Sequence, residues 1–285
     1  MSVRVGVLPH RERPTALGLA RRAAEWLGAH GATAVLPRTE ADLVGLPDLG
    51  VDPGGFPAGL DVVISLGGDG TMLRAIDQAY ELGVAVLGVN VGQMGYLTEV
   101  EPEDLDGALA RLLADDYHVE ARMMLAVTVR SSGPAGGRWF ALNETVLEKA
   151  RTGHMARLEV GLNGAFFTTY AADALIVATP TGSTAYSFSA RGPIVSPRHR
   201  CLLLTPVSPH MLFDRALVLD AAEEVGITVT GPFGAAMTVD GRELGLLDPG
   251  DVVTCTAADK SARIVSFAPR DFHQILKAKF GLSDR

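Results

Sequence analysis

Short apolar runs alternate with helical repeats along the first third of the chain. Val3 to Leu8 is an apolar run of strand length, and Thr33 to Leu36 is a second. Between them, over Thr15 to His30, Leu17, Ala20, Ala24 and Leu27 recur at the spacing of one helix face. Residues 41 to 60 are rich in Gly, Pro and Asp and read as a loop. Asp61 to Leu66 is continuously apolar after its first residue and ends in Gly67-Gly68, as a buried parallel strand feeding a turn does. A helix over Met72 to Leu82, a strand over Val84 to Val89 and a helix over Glu103 to Leu113 complete the series. Strands and helices in this alternation predict a parallel sheet with helices on its faces, a Rossmann-like α/β domain over residues 1–116.

Near Tyr117 the period changes. Ala126 to Arg130, Trp139 to Leu142, Leu158 to Leu162 and Ala165 to Tyr170 are short and roughly alternating. Val225 to Val229, Ala235 to Val239, Val252 to Thr256 and Ala262 to Phe267 continue the pattern. Turn pairs such as Asn163-Gly164 and Asp240-Gly241 lie beside them. An antiparallel β domain over residues 117–268 follows, and helical spacing returns from Pro269 to Phe280. Residues 269–285 are expected to form a helix that packs back on the first domain.

Composition narrows the function classes. The 285 residues carry a formal net charge of −8, which argues against a nucleic-acid partner. The amino terminus lacks the long apolar core of a secretory signal, and no apolar run nears the roughly 20 residues that span a membrane. The two cysteines, Cys201 and Cys255, form no CxxC pair, so no cysteine zinc site is expected. Together these features predict a cytoplasmic protein.

Three segments carry candidate chemistry. Gly67-Gly68-Asp69-Gly70-Thr71 sits between a buried strand and a helix, where α/β sheets bind ligands. Glycines there let backbone amides approach a phosphate, although an ordinary strand-to-helix turn reads the same way. No Lys-Ser/Thr pair follows, so it is not a Walker-type loop. Leu142-Asn143-Glu144 pairs an amide with a carboxylate, which suits the mixed donors and acceptors of a nucleoside. Thr179 to Ser189 (TPTGSTAYSFS) has almost no bulky aliphatic side chain and leaves room for a flat ligand.

In this order GGDGT, LNE and TPTGSTAYS resemble the motif set of the NAD kinase family. GVNVGQMGYLTEV (88–100), ARGPIVSP (190–197) and SPHMLFDRALVL (208–219) resemble it too. The resemblance implies an α/β domain and a β domain with the active site between them, and a homodimer or homotetramer. It implies phosphorylation of the adenosine-ribose 2′-hydroxyl of NAD by ATP or by polyphosphate. Magnesium would be carried by the triphosphate, without a dedicated protein metal site. Asp69 takes the place of the catalytic aspartate, and Gly70 allows close backbone approach. Arg74 would face phosphate; Asn143 and Glu144 would hold the nucleotide. His154 falls at a ligand-contacting position, and Asp173 would accept hydrogen bonds from the nucleotide. Thr184, Ala185, Tyr186, Ser187 and Ser189 would line the adenine and ribose pocket.

This chain departs from the family pattern at four positions. Ala174 and Arg191 stand where glycine is usual, Arg242 stands where glutamine is common, and Ala172 occupies a variable position. Alanine at 174 would be strained if that backbone needed positive φ. Arg191 or Arg242 would add positive charge near a phosphate. GGDG also occurs in lipid kinases of the diacylglycerol and sphingosine type, but no basic amphipathic stretch suited to a membrane surface is present. A non-catalytic NAD sensor would keep the pocket and lose Asp69, which is retained.

Overall fold

The computed structural model describes residues 2–92, 95–269 and 271–282. The chain forms two compact units, Met1–Ala121 with Ala262–Arg285, and Arg122–Ser261. Residues 262–268, which patterning assigns to the β domain, thus belong to the first unit.

The first unit is built on a parallel sheet. Its strands are β1 (Arg4–Pro9), β2 (Thr33–Pro37), β3 (Gly50–Val51), β4 (Val62–Gly67) and β5 (Ala85–Asn90), in the order β5-β4-β1-β2-β3. Ile264 pairs with Val86 in parallel at the β5 edge. Every residue of β4 and β5 is buried, which is why both read as continuous apolar runs. Helices α1 (Pro14–Ala29), α2 (Arg38–Val44), α3 (Asp69–Ala79) and α4 (Leu105–Leu113) accompany the sheet. Proline at the first position of α1 supplies a helical φ where no N–H partner is needed. The buried face of α1, including Leu19, Ala23 and Leu27, shares a core with Val5, Ile64 and Leu87.

One register decides where the chemistry sits. Strands β1 and β4 are neighbours, with Pro9 opposite Leu66, and His10 N–H bonds the Leu66 carbonyl at 2.8 Å. The loop after β1 and the glycine turn after β4 therefore leave the sheet side by side, at the carboxyl ends of parallel strands.

The second unit is antiparallel. It contains β6 (His118–Arg130) from residue 122 onward, β7 (Gly137–Ala141), β8 (Glu144–Lys149), β9 (Ala156–Leu162), β10 (Ala165–Ala172) and β11 (Ala174–Ala178). A short helix α5 (Tyr186–Ser189) precedes β12 (Cys201–Val207), β13 (Leu217–Asp220), β14 (Val225–Val229), β15 (Ala235–Val239), β16 (Arg242–Leu247) and β17 (Val252–Ser266). One sheet runs β13-β12-β11-β8-β15-β16, and β10-β9-β14-β17 forms another layer. Leu147, Leu175, Leu202 and Met237 of the first layer share a core with Leu158, Tyr170, Ile227 and Val253 of the second. Alternating burial along β14 and β15 matches the two-residue period of such a packed sheet.

Ala174 lies in extended β11, opposite Glu148 and Val207, and is not a positive-φ residue. The strain considered for alanine there does not arise. A last helix, α6 (Phe272–Phe280), is capped by the Asp271 carboxylate, which accepts from the His273 and Gln274 amides. Its Lys279 lies 4.7 Å from the centre of the Tyr96 ring, within the first unit. Among the described residues, no helix is long and apolar enough to cross a membrane.

Candidate active site

In the first unit the glycine turn opens directly into α3, whose first residue is Asp69. The Asp69 and Gly70 amides stand at the helix start, where N–H groups have no partner within the helix. Asp69 does not cap its own helix. Its carboxylate accepts the amides of Tyr96 at 2.8 Å and Leu97 at 3.0 Å. Two fixed donors hold the side chain in one orientation. Gly95 makes this possible, because a Cβ at that position would run into the Asp69 carboxylate. Gln93 and Met94 of the same motif lie outside the described residues.

A cavity of about 530 Å³ faces this turn. Gly68, Asp69, Gly70, Thr71 and Arg74 form one side, and the loop His10 to Arg13 forms the other. Arg74 donates to the Pro9 carbonyl at 2.5 Å and lies 3.3 Å from Glu40. Arg11 pairs with the same Glu40 oxygen at 2.9 Å, and Arg13 donates to the Val91 carbonyl. Three guanidiniums and helix-start amides converge, which suits a polyanion. Arg11, Arg13 and His10 are absent from the motif reading; their signal is the basic run HRER directly after the first strand.

In the second unit the LNE and TPTGS turns are locked together. The Asp240 carboxylate accepts three successive amides, from Leu142 at 2.7 Å, Asn143 at 2.8 Å and Glu144 at 3.1 Å. Thr179 N–H bonds the Asn143 carbonyl at 2.8 Å, and its hydroxyl donates to the Leu142 carbonyl at 2.5 Å. Gly182 packs flat on Asn143, where a Cβ would fall 2.8 Å from its Cα. The hydroxyl-rich turn and the Asn-Glu pair thus form one structure.

Glu144 is buried at the start of β8. Desolvation, reinforced by the nearby Asp240 charge, pushes its pKa up to about 8, while a backbone N–H from Tyr186 opposes the rise. That rise favours the protonated form near neutral pH, in which the side chain can both donate and accept. Below about pH 4.5 the group is neutral whether folded or unfolded, and nothing is lost. Between about 4.5 and 8 the unfolded chain ionises while the folded chain does not, so stability falls as pH rises. Glu144→Gln should therefore gain on wild type by a few kcal/mol between pH 5 and 8. Denaturant melts of both proteins across that window measure the gain, and a constant difference would refute it.

The remaining candidates divide. Tyr186 is 39% exposed, and Ala185 and Thr184 are half-buried; the Thr184 hydroxyl donates to the Thr181 carbonyl. Ser189 is exposed, whereas Ser187 is buried and shares a 2.9 Å hydrogen bond with the Thr205 hydroxyl. Asp173 pairs with Lys149 at 2.6 Å and, with His154, lines a second cavity of about 480 Å³. The His154 ring lies 4.2 Å from that of Phe233. The Arg242 guanidinium lies 4.9 Å over the Trp139 ring. Arg191 is exposed with φ of 66°, the left-handed region that glycine tolerates best. Arg191→Gly should raise stability by about 0.5–1 kcal/mol, after the larger unfolded-state entropy of glycine is subtracted. An unchanged or lower melting temperature would contradict this.

The first unit holds a fixed carboxylate beside an arginine-lined cavity, and the second a hydroxyl-rich turn locked to an Asn-Glu pair; each suits a nucleotide-binding enzyme. The comparisons name the family. The ATP-NAD kinase N-terminal domain matches residues 55–117, and the ATP-NAD kinase C-terminal domain matches residues 142–267. The NAD kinase of Heliobacterium modesticaldum is 42% identical over 277 residues, covering 96% of this chain and 97% of its own. That of Syntrophotalea carbinolica is 35% identical over 283 residues, covering 99% of each. An Archaeoglobus fulgidus NAD kinase solved in complex with ATP has a TM-score of 0.70 at 25% identity, covering 99% of this chain and 98% of its own. Yeast NADH kinase complexed with NADH has a TM-score of 0.90 at 22% identity, covering 100% of this chain and 89% of its own; at that identity the likeness concerns the fold. The chain belongs to the ATP-NAD kinase family.

Proposed function

We propose that this chain transfers the terminal phosphoryl group of ATP to the 2′-hydroxyl of the adenosine ribose of NAD. The observation that carries the reading is the Asp69 carboxylate, held by two backbone amides on the wall of an arginine-rich cavity. The hydroxyl oxygen attacks the terminal phosphorus, the bond to the bridging oxygen breaks, and ADP leaves. The hydroxyl proton passes to Asp69. A loose transition state needs little early proton removal, so Asp69 contributes mainly by orienting the hydroxyl in line. Arg11, Arg13 and Arg74 offset the charge that gathers on the phosphate oxygens.

Among the described residues, no three His, Cys, Asp or Glu are grouped to hold a metal. Magnesium would be held mainly through the triphosphate, with Asp69 and Glu12 the carboxylates that line the cavity. When bound, such an ion would neutralise charge on the phosphates. Asn143 and Glu144 bind the nucleoside of NAD, with Thr184 to Ser189 beside them. Asp173 and His154 meet another part of the dinucleotide. The reading includes a cytoplasmic homodimer or homotetramer, with polyphosphate as a second possible donor.

The test is initial-rate ATP consumption with NAD and, separately, with dispersed diacylglycerol. NAD-dependent turnover is expected. Lipid-dependent turnover without any response to NAD would replace this reading with a lipid kinase.

A further inference from the structure

Glu40 is completely buried, yet it carries a carboxylate and lies outside every motif of the sequence. It is the third residue of α2, so a favourable interaction with the helix start is the simplest account of an acid there. That account works equally well for an exposed side chain and leaves the burial unexplained. Burying a carboxylate is costly unless it is paired, and a buried pair is weak evidence for stability in itself.

The partners explain the placement. One Glu40 oxygen meets Arg11 Nε at 2.9 Å and Arg74 Nη1 at 3.3 Å. Arg11 comes from the loop after β1 and Arg74 from the second turn of α3. The second arm of Arg74 is tied to the Pro9 carbonyl. Both arginines line the cavity over the glycine turn, and their side chains remain 51% and 29% exposed. One carboxylate against two guanidiniums leaves a net positive charge facing that cavity. Two long, flexible side chains are fixed before any ligand arrives, which removes an ordering cost from binding.

We propose that Glu40 is a positioning residue for phosphoryl-donor binding: it holds Arg11 and Arg74 over the Gly68–Thr71 turn to grip the triphosphate. The proposal rests on the reading of this cavity as the triphosphate site. Simple electrostatics and positioning predict opposite signs. Removing a negative charge near the cavity should tighten a polyanion if charge alone mattered; losing the bridge should weaken it.

The test is Glu40→Gln in the full chain, which keeps the side-chain size. Calorimetry would measure Kd for inorganic tripolyphosphate, and kinetics would measure KM for ATP and for NAD separately. Kd and KM for ATP should rise roughly tenfold, with KM for NAD within about twofold and the fold retained. Unchanged or tighter tripolyphosphate binding by the folded variant overturns the proposal, and so does an equal rise in both KM values. Arg74→Ala separates the two levels of the argument. If Arg74→Ala weakens tripolyphosphate and Glu40→Gln does not, the cavity reading stands and the positioning role falls. If wild type binds no tripolyphosphate, both fall. Should Glu40→Gln fail to fold, Glu40→Asp, which keeps the charge but shortens the reach to both guanidiniums, replaces it. A severalfold rise in Kd is then expected, and no rise overturns the proposal.

Discussion

Replacing Asp69 by asparagine should lower kcat about a thousand-fold, the largest effect we expect from any single substitution. The carboxylate has two tasks. It faces the anion cavity, and it accepts the Tyr96 and Leu97 amides that fix the chain over residues 96–97. Asparagine can still accept through one oxygen, but its NH2 group faces a backbone donor. The variant therefore disturbs that loop as well as the reacting hydroxyl. Gly95→Ala separates the tasks, because it keeps the acid and pushes it out of place. If positioning matters as much as chemistry, this variant loses activity by two orders of magnitude or so with Asp69 intact. Steady-state kinetics decide it. A Gly95→Ala enzyme with wild-type kcat would show that the fixed orientation is unimportant.

The second large effect is on stability. Asp240→Ala should cost about 3–5 kcal/mol, because three amides lose their acceptor together. Alanine would also sit at a φ of 47°, which aspartate tolerates better. The consequences reach the nucleotide site, since the same three amides belong to the turn carrying Asn143 and Glu144. Removing the Asp240 charge also removes one of the causes that raise the Glu144 pKa. Asp240→Asn should therefore ionise Glu144 at lower pH than wild type and lose less stability than alanine. Urea melts of the three proteins test the ranking. Equal stabilities would mean that the turn is held by something else.

Much of this was legible in the sequence, and the gaps have physical causes. Strands β4 and β5 declare themselves, because a parallel strand covered on both faces is apolar throughout. Strand β17 does not. Its exposed Asp259 and Lys260 break the apolar pattern, so one strand of 15 residues reads as two. Helix α2 is hidden in a segment whose later Gly and Pro residues suggest a loop; residues 38–44 are α-helical, and only short 3-10 turns over Pro47–Leu49 and Pro53–Gly55 and the two-residue β3 follow. Within the site, local motifs were visible and long-range partners were not. Asp240 lies 96 to 98 residues from the amides it binds, and Glu40 lies far from the glycine turn in sequence. Neither contact leaves a periodic trace. Ser187, by contrast, belongs to a visible motif, but only the packing against Thr205 reveals that its hydroxyl is engaged inside the protein.

The measurement closest to the central claim is product analysis after incubation of the purified protein with NAD, ATP and magnesium. Phosphorus NMR should reveal a new 2′-phosphate on the adenosine ribose, formed in step with ADP, and almost none with Asp69→Asn. A folded wild type that binds NAD and forms no NADP would contradict the account, as would an Asp69→Asn enzyme that forms it equally fast.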